Sequence, residues 1–271
     1  MIVQICSQTD PGLERSQNED AVAFDDTLGL CILCDGMGGH NAGEVASGMA
    51  TAFIKTDMRE SPVVSGKNRE PGAVQQAIAQ SIEKANSAIY NMSRTNAQYS
   101  GMGTTLVVGV FCDEVLVLGH IGDSRCYLLR AGNFAQLTKD HSVYQEQLDD
   151  GLLDANHVMP VLGQNFVTRA LGPFEQIAAD FQQPALAVGD IYLMCSDGLS
   201  DMVDDDAIAA ILAGPEALQQ KADKLIAAAN QGGGRDNVSV VLAQVGEGPK
   251  AGLFGSAARA LLGVLPGAKG R

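Results

Sequence analysis

Three apolar runs in this chain end in an aspartate beside a glycine. Leu28-Gly29-Leu30-Cys31-Ile32-Leu33-Cys34 leads into Asp35-Gly36, Val115 to Ile121 into Gly122-Asp123, and Ile191 to Ser196 into Asp197-Gly198. A fourth aspartate, Asp236, stands just ahead of the run Val238 to Leu242. Strands that carry carboxylates to one end of a sheet build a pocket of negative charge. An uncompensated buried ion costs several kcal/mol, so such a pocket calls for hard cations. Any one of these aspartates reads equally well as a turn residue. However, Asp35-Gly36 and Asp197-Gly198 are not followed by returning strands, and several departures from the turn pattern in one chain favour a metal site.

The donor type selects the metal. Carboxylate, backbone carbonyl and water oxygens suit Mg2+ or Mn2+, and the sequence shows no His or Cys grouping of the kind zinc takes. Glycines beside the aspartates let backbone carbonyls approach a cation closely. Two such ions roughly 3.5–4 Å apart would share a bridging carboxylate and activate a water, and Asp35 is the chosen bridge. Arg15 offers a planar fork that matches two phosphate oxygens. Alone it reads as a surface arginine paired with Glu14 or Glu19; its weight comes from the loop it shares with Glu19-Asp20. His40, in the loop after Asp35, is a candidate acid for a leaving oxygen, although a structural role is the commoner one for each of the four histidines. Gly36-Met37-Gly38-Gly39-His40 lacks the Gly-Lys-Ser/Thr ending of a nucleotide phosphate loop.

Net charge is −14, which argues against nucleic acid as a partner but not against a single phosphate monoester, because metals neutralise such a site locally. No apolar run approaches membrane-span length, and Met1-Ile2-Val3-Gln4 does not open a signal peptide, so a cytoplasmic protein is expected. The six cysteines lie mostly in strand-like runs and read as buried thiols. Cys31 and Cys34 form a CxxC in mid-strand, where their side chains should face opposite ways.

Apolar alternation with turn residues between predicts strands at Val3–Ser7, Ala21–Phe24, Leu28–Cys34, Thr105–Phe111, Val115–Ile121, Arg125–Arg130, Phe134–Leu137, Ile191–Cys195 and Val238–Val245. Arg130-Ala131-Gly132-Asn133 reads as a hairpin turn. Helical spacing predicts helices at Glu44–Met58, Gly72–Thr95 and Pro215–Asn230, the last with proline in its first turn. Tight turns between strands favour antiparallel pairing. The expected fold is α+β: a four-layer α-β-β-α sandwich of two antiparallel sheets flanked by helices. Met58 to Pro71 reads as a polar loop, and Asp140 to Leu171 as a flap. After Gly246 the tail carries Lys250, Arg259, Lys269 and Arg271 against Glu247, and reads first as a flexible end.

Eight stretches then fall in one order: Arg15-Ser-Gln-Asn-Glu-Asp20, Cys34-Asp-Gly-Met-Gly-Gly-His40 with Ala42-Gly-Glu-Val-Ala-Ser47, Gly101-Met-Gly-Thr-Thr105, Gly122-Asp-Ser-Arg125, Lys139-Asp-His-Ser142, Thr168-Arg-Ala-Leu-Gly172, Ser196-Asp-Gly-Leu199 and Gly234-Arg-Asp-Asn-Val238. The chain resembles the metal-dependent protein phosphatases of type 2C, bacterial branch, over roughly residues 5 to 245. The resemblance implies a phosphatase domain at 1–246, with its flap at about 140–171, and a basic tail at 247–271. It implies hydrolysis of phosphoserine and phosphothreonine in proteins by a two-metal-activated water, without a covalent intermediate. Asp35, the Gly36 carbonyl, Asp197 and Asp236 would hold two Mn2+ or Mg2+ ions. Asp123 with Asp197 would hold a third, Asp20 would orient waters from outside the ligand set, and Arg15 would grip the phosphate. Animal members carry His directly after the Asp-Gly pair, where Met37 stands here, so the acid is His40 or a metal-bound water. A monomer opposing a Ser/Thr kinase is expected. The rival readings are a two-metal phosphodiesterase and a non-catalytic phosphoprotein-binding pseudophosphatase.

Overall fold

The computed structural model describes residues 1–38, 42–66, 69–152 and 166–248. One sheet runs in the order β1 (Ile2–Asp10), β11 (Val238–Gly246), β10 (Ile191–Cys195), β7 (Arg125–Arg130) and β8 (Asn133–Gln136). The other runs β2 (Asp20–Asp25), β3 (Leu30–Met37), β5 (Leu106–Cys112), β6 (Val115–Ile121) and β9 (Asp180–Gln182), with β4 (Gly103–Thr104) paired to the end of β3. Every one of these ladders is antiparallel.

Period-two alternation builds the layers. Along β3, Leu30, Ile32 and Cys34 pack under helices α1 (Ala42–Glu60) and α3 (Pro71–Thr95), while Cys31 and Leu33 face the opposite sheet. The CxxC cysteines therefore lie in different cores, as their mid-strand position required. Phe111, Leu116 and Leu118 meet Tyr192, Met194 and Val241 between the sheets. Leu193, Cys195, Val240 and Leu242 turn outward to helices α6 (Asp205–Ala213) and α7 (Leu218–Gln231). Fully burying a Val, Leu or Ile side chain contributes roughly 1.5–3 kcal/mol, so these three cores dominate stability. Together they make the α-β-β-α sandwich.

Local details depart from the sequence expectations in identifiable ways. The stretch expected to be a polar loop holds a one-turn helix, α2 (Pro62–Ser65), which buries Val64 against the α1 and α3 layer. Helix α7 starts at Leu218 rather than Pro215; the Gln220 side chain accepts the Ala217 backbone N–H and fixes the start there. Helix α6 leaves no amphipathic stripe in the sequence because it is short and apolar on most sides; its one sequence signal is Asp204, whose carboxylate accepts the Ala207 N–H as an N-cap. The three-residue strand β9 is too short to leave a pattern. The Arg130–Asn133 hairpin is present, with Ala131 and Gly132 both at positive φ, the primed-turn geometry that suits twisted strands.

The segment expected to be a flap opens with Ser142 capping α4 (Val143–Asp149). Isolated bridges tie both sides of this segment, Ser142 to Val167 and Thr104 to Leu171. The rest of the expected flap, 153–165, and the tail beyond residue 248 lie outside the described residues. Among the described residues no helix is long and apolar enough to cross a membrane.

Candidate active site

The end of β3, the β6–β7 loop, the end of β10 and the start of β11 converge at one end of the sandwich. Here Arg15, Asp35, Gly36, Asp123, Asp197 and Asp236 line a single cleft of about 370 Å³. A larger cavity of about 550 Å³ includes Arg69, but the Arg69 guanidinium is already committed to the backbone carbonyls of Thr27, Leu28 and Phe111.

Sheet register delivers the carboxylates. Asp20 lies directly across the β2–β3 ladder from Asp35. The Asp35 N–H donates to Thr105 Oγ1 at 2.9 Å, and its carbonyl accepts from Thr105 N–H and Thr104 Oγ1, both at 2.9 Å. Thr105 Oγ1 in turn shares a 2.7 Å hydrogen bond with Ser124 Oγ, beside Asp123. This buried hydroxyl chain links the backbone of Asp35 to the loop that bears Asp123. Ser196, just before Asp197, donates to Asp20 Oδ2 at 2.8 Å and accepts the Ser239 N–H at 3.0 Å. Asp20 Oδ1 is buried without a hydrogen-bond partner.

Asn237 belongs to the Gly234–Val238 stretch but is not among the expected site residues, since an asparagine before a strand gives no signal by its type alone. Its Oδ1 accepts the Glu19 N–H at 2.8 Å, and its Nδ2 donates to the Pro11 and Gln17 carbonyls. It thereby fixes the loop that carries Arg15. Arg15 Nη2 donates to Asp236 Oδ2 at 2.8 Å. The expected phosphate-gripping guanidinium thus rests on one of the expected metal ligands.

Close backbone packing at Gly198, in the one-turn helix α5 (Asp197–Ser200), is equally demanding. A Cβ there would stand 2.0 Å from the Asn237 carbonyl oxygen. Gly198→Ala is expected to destabilise the protein by about 1–3 kcal/mol, as overpacking does. Because Asp197 and Asp236 flank the two clashing residues, activity should fall as well; urea unfolding and initial rates measure both.

Crowding sets the electrostatics. Burial, reinforced by Asp20, Asp197 and Asp123, raises the Asp35 carboxyl well above its usual range. Burial, with Asp123 and Asp201 next, pushes Asp197 up to about 7. Burial pushes Asp20 and Asp123 each up to about 6. Like charges held together in a half-buried site resist ionisation until a cation compensates them. The expected donors are all oxygen, one buried carboxylate oxygen beside them, Asp20 Oδ1, lacks a partner, and four aspartates with Glu19 line one cleft. These residues fit hard divalent cations. His40 falls outside the described residues. His120 and His141 are buried away from the cleft lining.

Two antiparallel sheets with an acidic, oxygen-lined cleft at one end fit a metal-dependent hydrolase. The comparisons give the family. The protein phosphatase 2C family model matches residues 13–238. A serine/threonine phosphatase Stp from Listeria monocytogenes is 35% identical over 240 residues, covering 88% of this chain and 94% of that protein. The S. agalactiae serine/threonine phosphatase structure superposes with a TM-score of 0.83 at 33% identity, covering 90% of this chain and 99% of that one. The catalytic domain of the serine/threonine protein phosphatase PstP, solved in complex with 2 manganese ions, superposes with a TM-score of 0.79 at 36% identity, covering 91% and 99%. The chain belongs to the protein phosphatase 2C family and is a metal-dependent serine/threonine protein phosphatase of the bacterial kind.

Proposed function

We propose that the cleft hydrolyses phosphoserine and phosphothreonine in proteins with the help of two divalent cations, Mn2+ or Mg2+, held by Asp35, the Gly36 carbonyl, Asp197 and Asp236. The observation that carries this is the convergence of those residues on one cleft from three separate strand ends, β3, β10 and β11. Asp123 with Asp197 is the site proposed for a third cation, and Asp20 supports the set from behind. When bound, such cations lower the pKa of water and polarise phosphoryl oxygens. The chain's own part is to fix the carboxylates and to present Arg15 to the phosphate. No cysteine among the described residues lines the cleft, and all six are buried free thiols, which favours direct attack by water over a covalent intermediate. Residues 1–246 act as one catalytic domain in this reading, with the flap at its rim. The enzyme is taken to work as a cytoplasmic monomer opposing a Ser/Thr kinase.

Arg15 is exposed and its contact with Asp236 is exchangeable, so a phosphate dianion can replace that carboxylate on the guanidinium. Arg15→Ala is expected to raise KM for a phosphothreonine peptide about tenfold, the worth of one charge-assisted hydrogen bond, with kcat changed less. Arg15→Lys keeps the charge but not the fork and should fall between. The same assay on bis-p-nitrophenyl phosphate tests the reaction class. A diester cleaved as fast as the phosphopeptide overturns the monoesterase reading in favour of a phosphodiesterase.

A further inference from the structure

We propose that His141 is a positioning residue that sets the direction in which Asp123 enters the cleft. This rests on the reading of Asp123 as a cation ligand. Gly122, immediately before Asp123, is held to His141 twice. The Gly122 N–H donates to His141 Nδ1 at 3.1 Å, and the His141 N–H donates to the Gly122 carbonyl at 2.9 Å. Gly122 sits at φ +99°, and a Cβ there would come within 2.6 Å of Thr105 Cγ2. The chain turns sharply at this point, so what fixes Gly122 fixes where the next side chain goes.

The imidazole is itself held. Because Nδ1 accepts from a backbone N–H, the proton of the neutral ring resides on Nε2, which faces Asp180 Oδ2 at 3.2 Å. Arg169 Nη1 anchors the other Asp180 oxygen at 3.1 Å. The His120 ring stacks on His141 at 4.8 Å and bonds the Lys139 carbonyl through Nε2. His120, His141 and Asp180 have the composition of a cation site. Yet both ring nitrogens of His141 are engaged, and Arg169 brings a positive charge to the carboxylate. The cluster is built to orient a ring. The same residue meets the flap stem, since Thr168 N–H donates to the His141 carbonyl at 2.8 Å. His141 therefore joins the returning flap segment to the loop that bears Asp123.

The test is calorimetric titration of the full chain with MnCl2, with folding checked by circular dichroism. His141→Ala and Asp180→Ala are expected to weaken the weakest Mn2+-binding event about tenfold, the low end for loss of a group supporting a ligand, and to leave tighter binding unchanged. In His141→Asn the amide oxygen stands where Nδ1 stood, so affinity should stay within about threefold of wild type. A residue needed only to fill space would not show that rescue. Asp123→Asn is the control. If it loses the weak event while folded Asp180→Ala and His141→Asn both bind as wild type does, or if His141→Asn binds no better than His141→Ala, the positioning role is overturned. If Asp123→Asn binds as many ions as wild type, the reading of Asp123 itself fails, and the role built on it fails with it. Should His141→Ala not fold, Asp180→Ala and His141→Asn decide: weakened binding in the first with retained affinity in the second supports the role, and wild-type binding in Asp180→Ala overturns it.

Discussion

Asp197→Asn is expected to lower phosphopeptide turnover on the order of a hundredfold or more, while the protein without metal melts no lower than wild type. The substitution keeps shape and volume, so the tight approach of Gly198 to the Asn237 carbonyl is undisturbed. What it removes is a charge. Asp197 shares its surroundings with Asp123, Asp201 and Asp236, and its ionised form is held at a disadvantage by burial and by those neighbours. Neutralising it relieves the folded state of that repulsion. A site built for a ligand trades stability for function in this manner, whereas a structural aspartate would lose stability on substitution. Initial rates in saturating Mn2+, together with melting in a chelator, separate the two cases. Wild-type turnover in this variant would remove Asp197 from the mechanism.

Chelation is expected to abolish activity, and the stabilisation regained on adding Mn2+ should grow with pH. The folded-state affinities of Asp35, Asp20, Asp123 and Asp197 for protons are all raised. A carboxyl with a raised folded pKa favours the folded state below its unfolded value near 4, and that contribution is lost as pH rises through the folded value. The metal-free protein should therefore lose stability between about pH 4 and pH 7, the window set by those carboxyls. A cation compensates the ionised set, and it competes with protons for the same oxygens. At a hundredfold excess over Kd one bound ion adds about 2.7 kcal/mol, on the order of 5–10 °C in a chain of this size. Scanning calorimetry with and without Mn2+ at pH 5.5 and 7.5 checks the sign. A Mn2+ shift that is equal or larger at pH 5.5 contradicts the assignment of these carboxylates.

Strand pairing and site chemistry were legible in the sequence to different depths. Runs such as Leu30 to Cys34 carry their facing in the alternation itself, since neighbouring side chains must point to opposite faces. That alternation puts Cys31 and Cys34 in separate cores. Short elements such as β9 and α2 are not legible, because three or four residues barely exceed one period and leave no repeat to recognise. Among the site residues, Asp35, Asp123 and Asp197 announced themselves by ending apolar runs. Asn237 and His141 did not, because their importance lies in bonds to the backbone of residues far along the chain.

The sequence by itself determined which runs become strands, which faces they bury and that aspartates stand at their ends. These are local properties, settled by a two-residue repeat and by the cost of burying charge. Only the tertiary structure decided that Arg15 rests on Asp236, that Asn237 anchors Glu19 across the chain, and that His141 grips Gly122. Those contacts depend on the order in which strands join their sheets. That order is fixed by the packing of three cores at once and is written in no single segment.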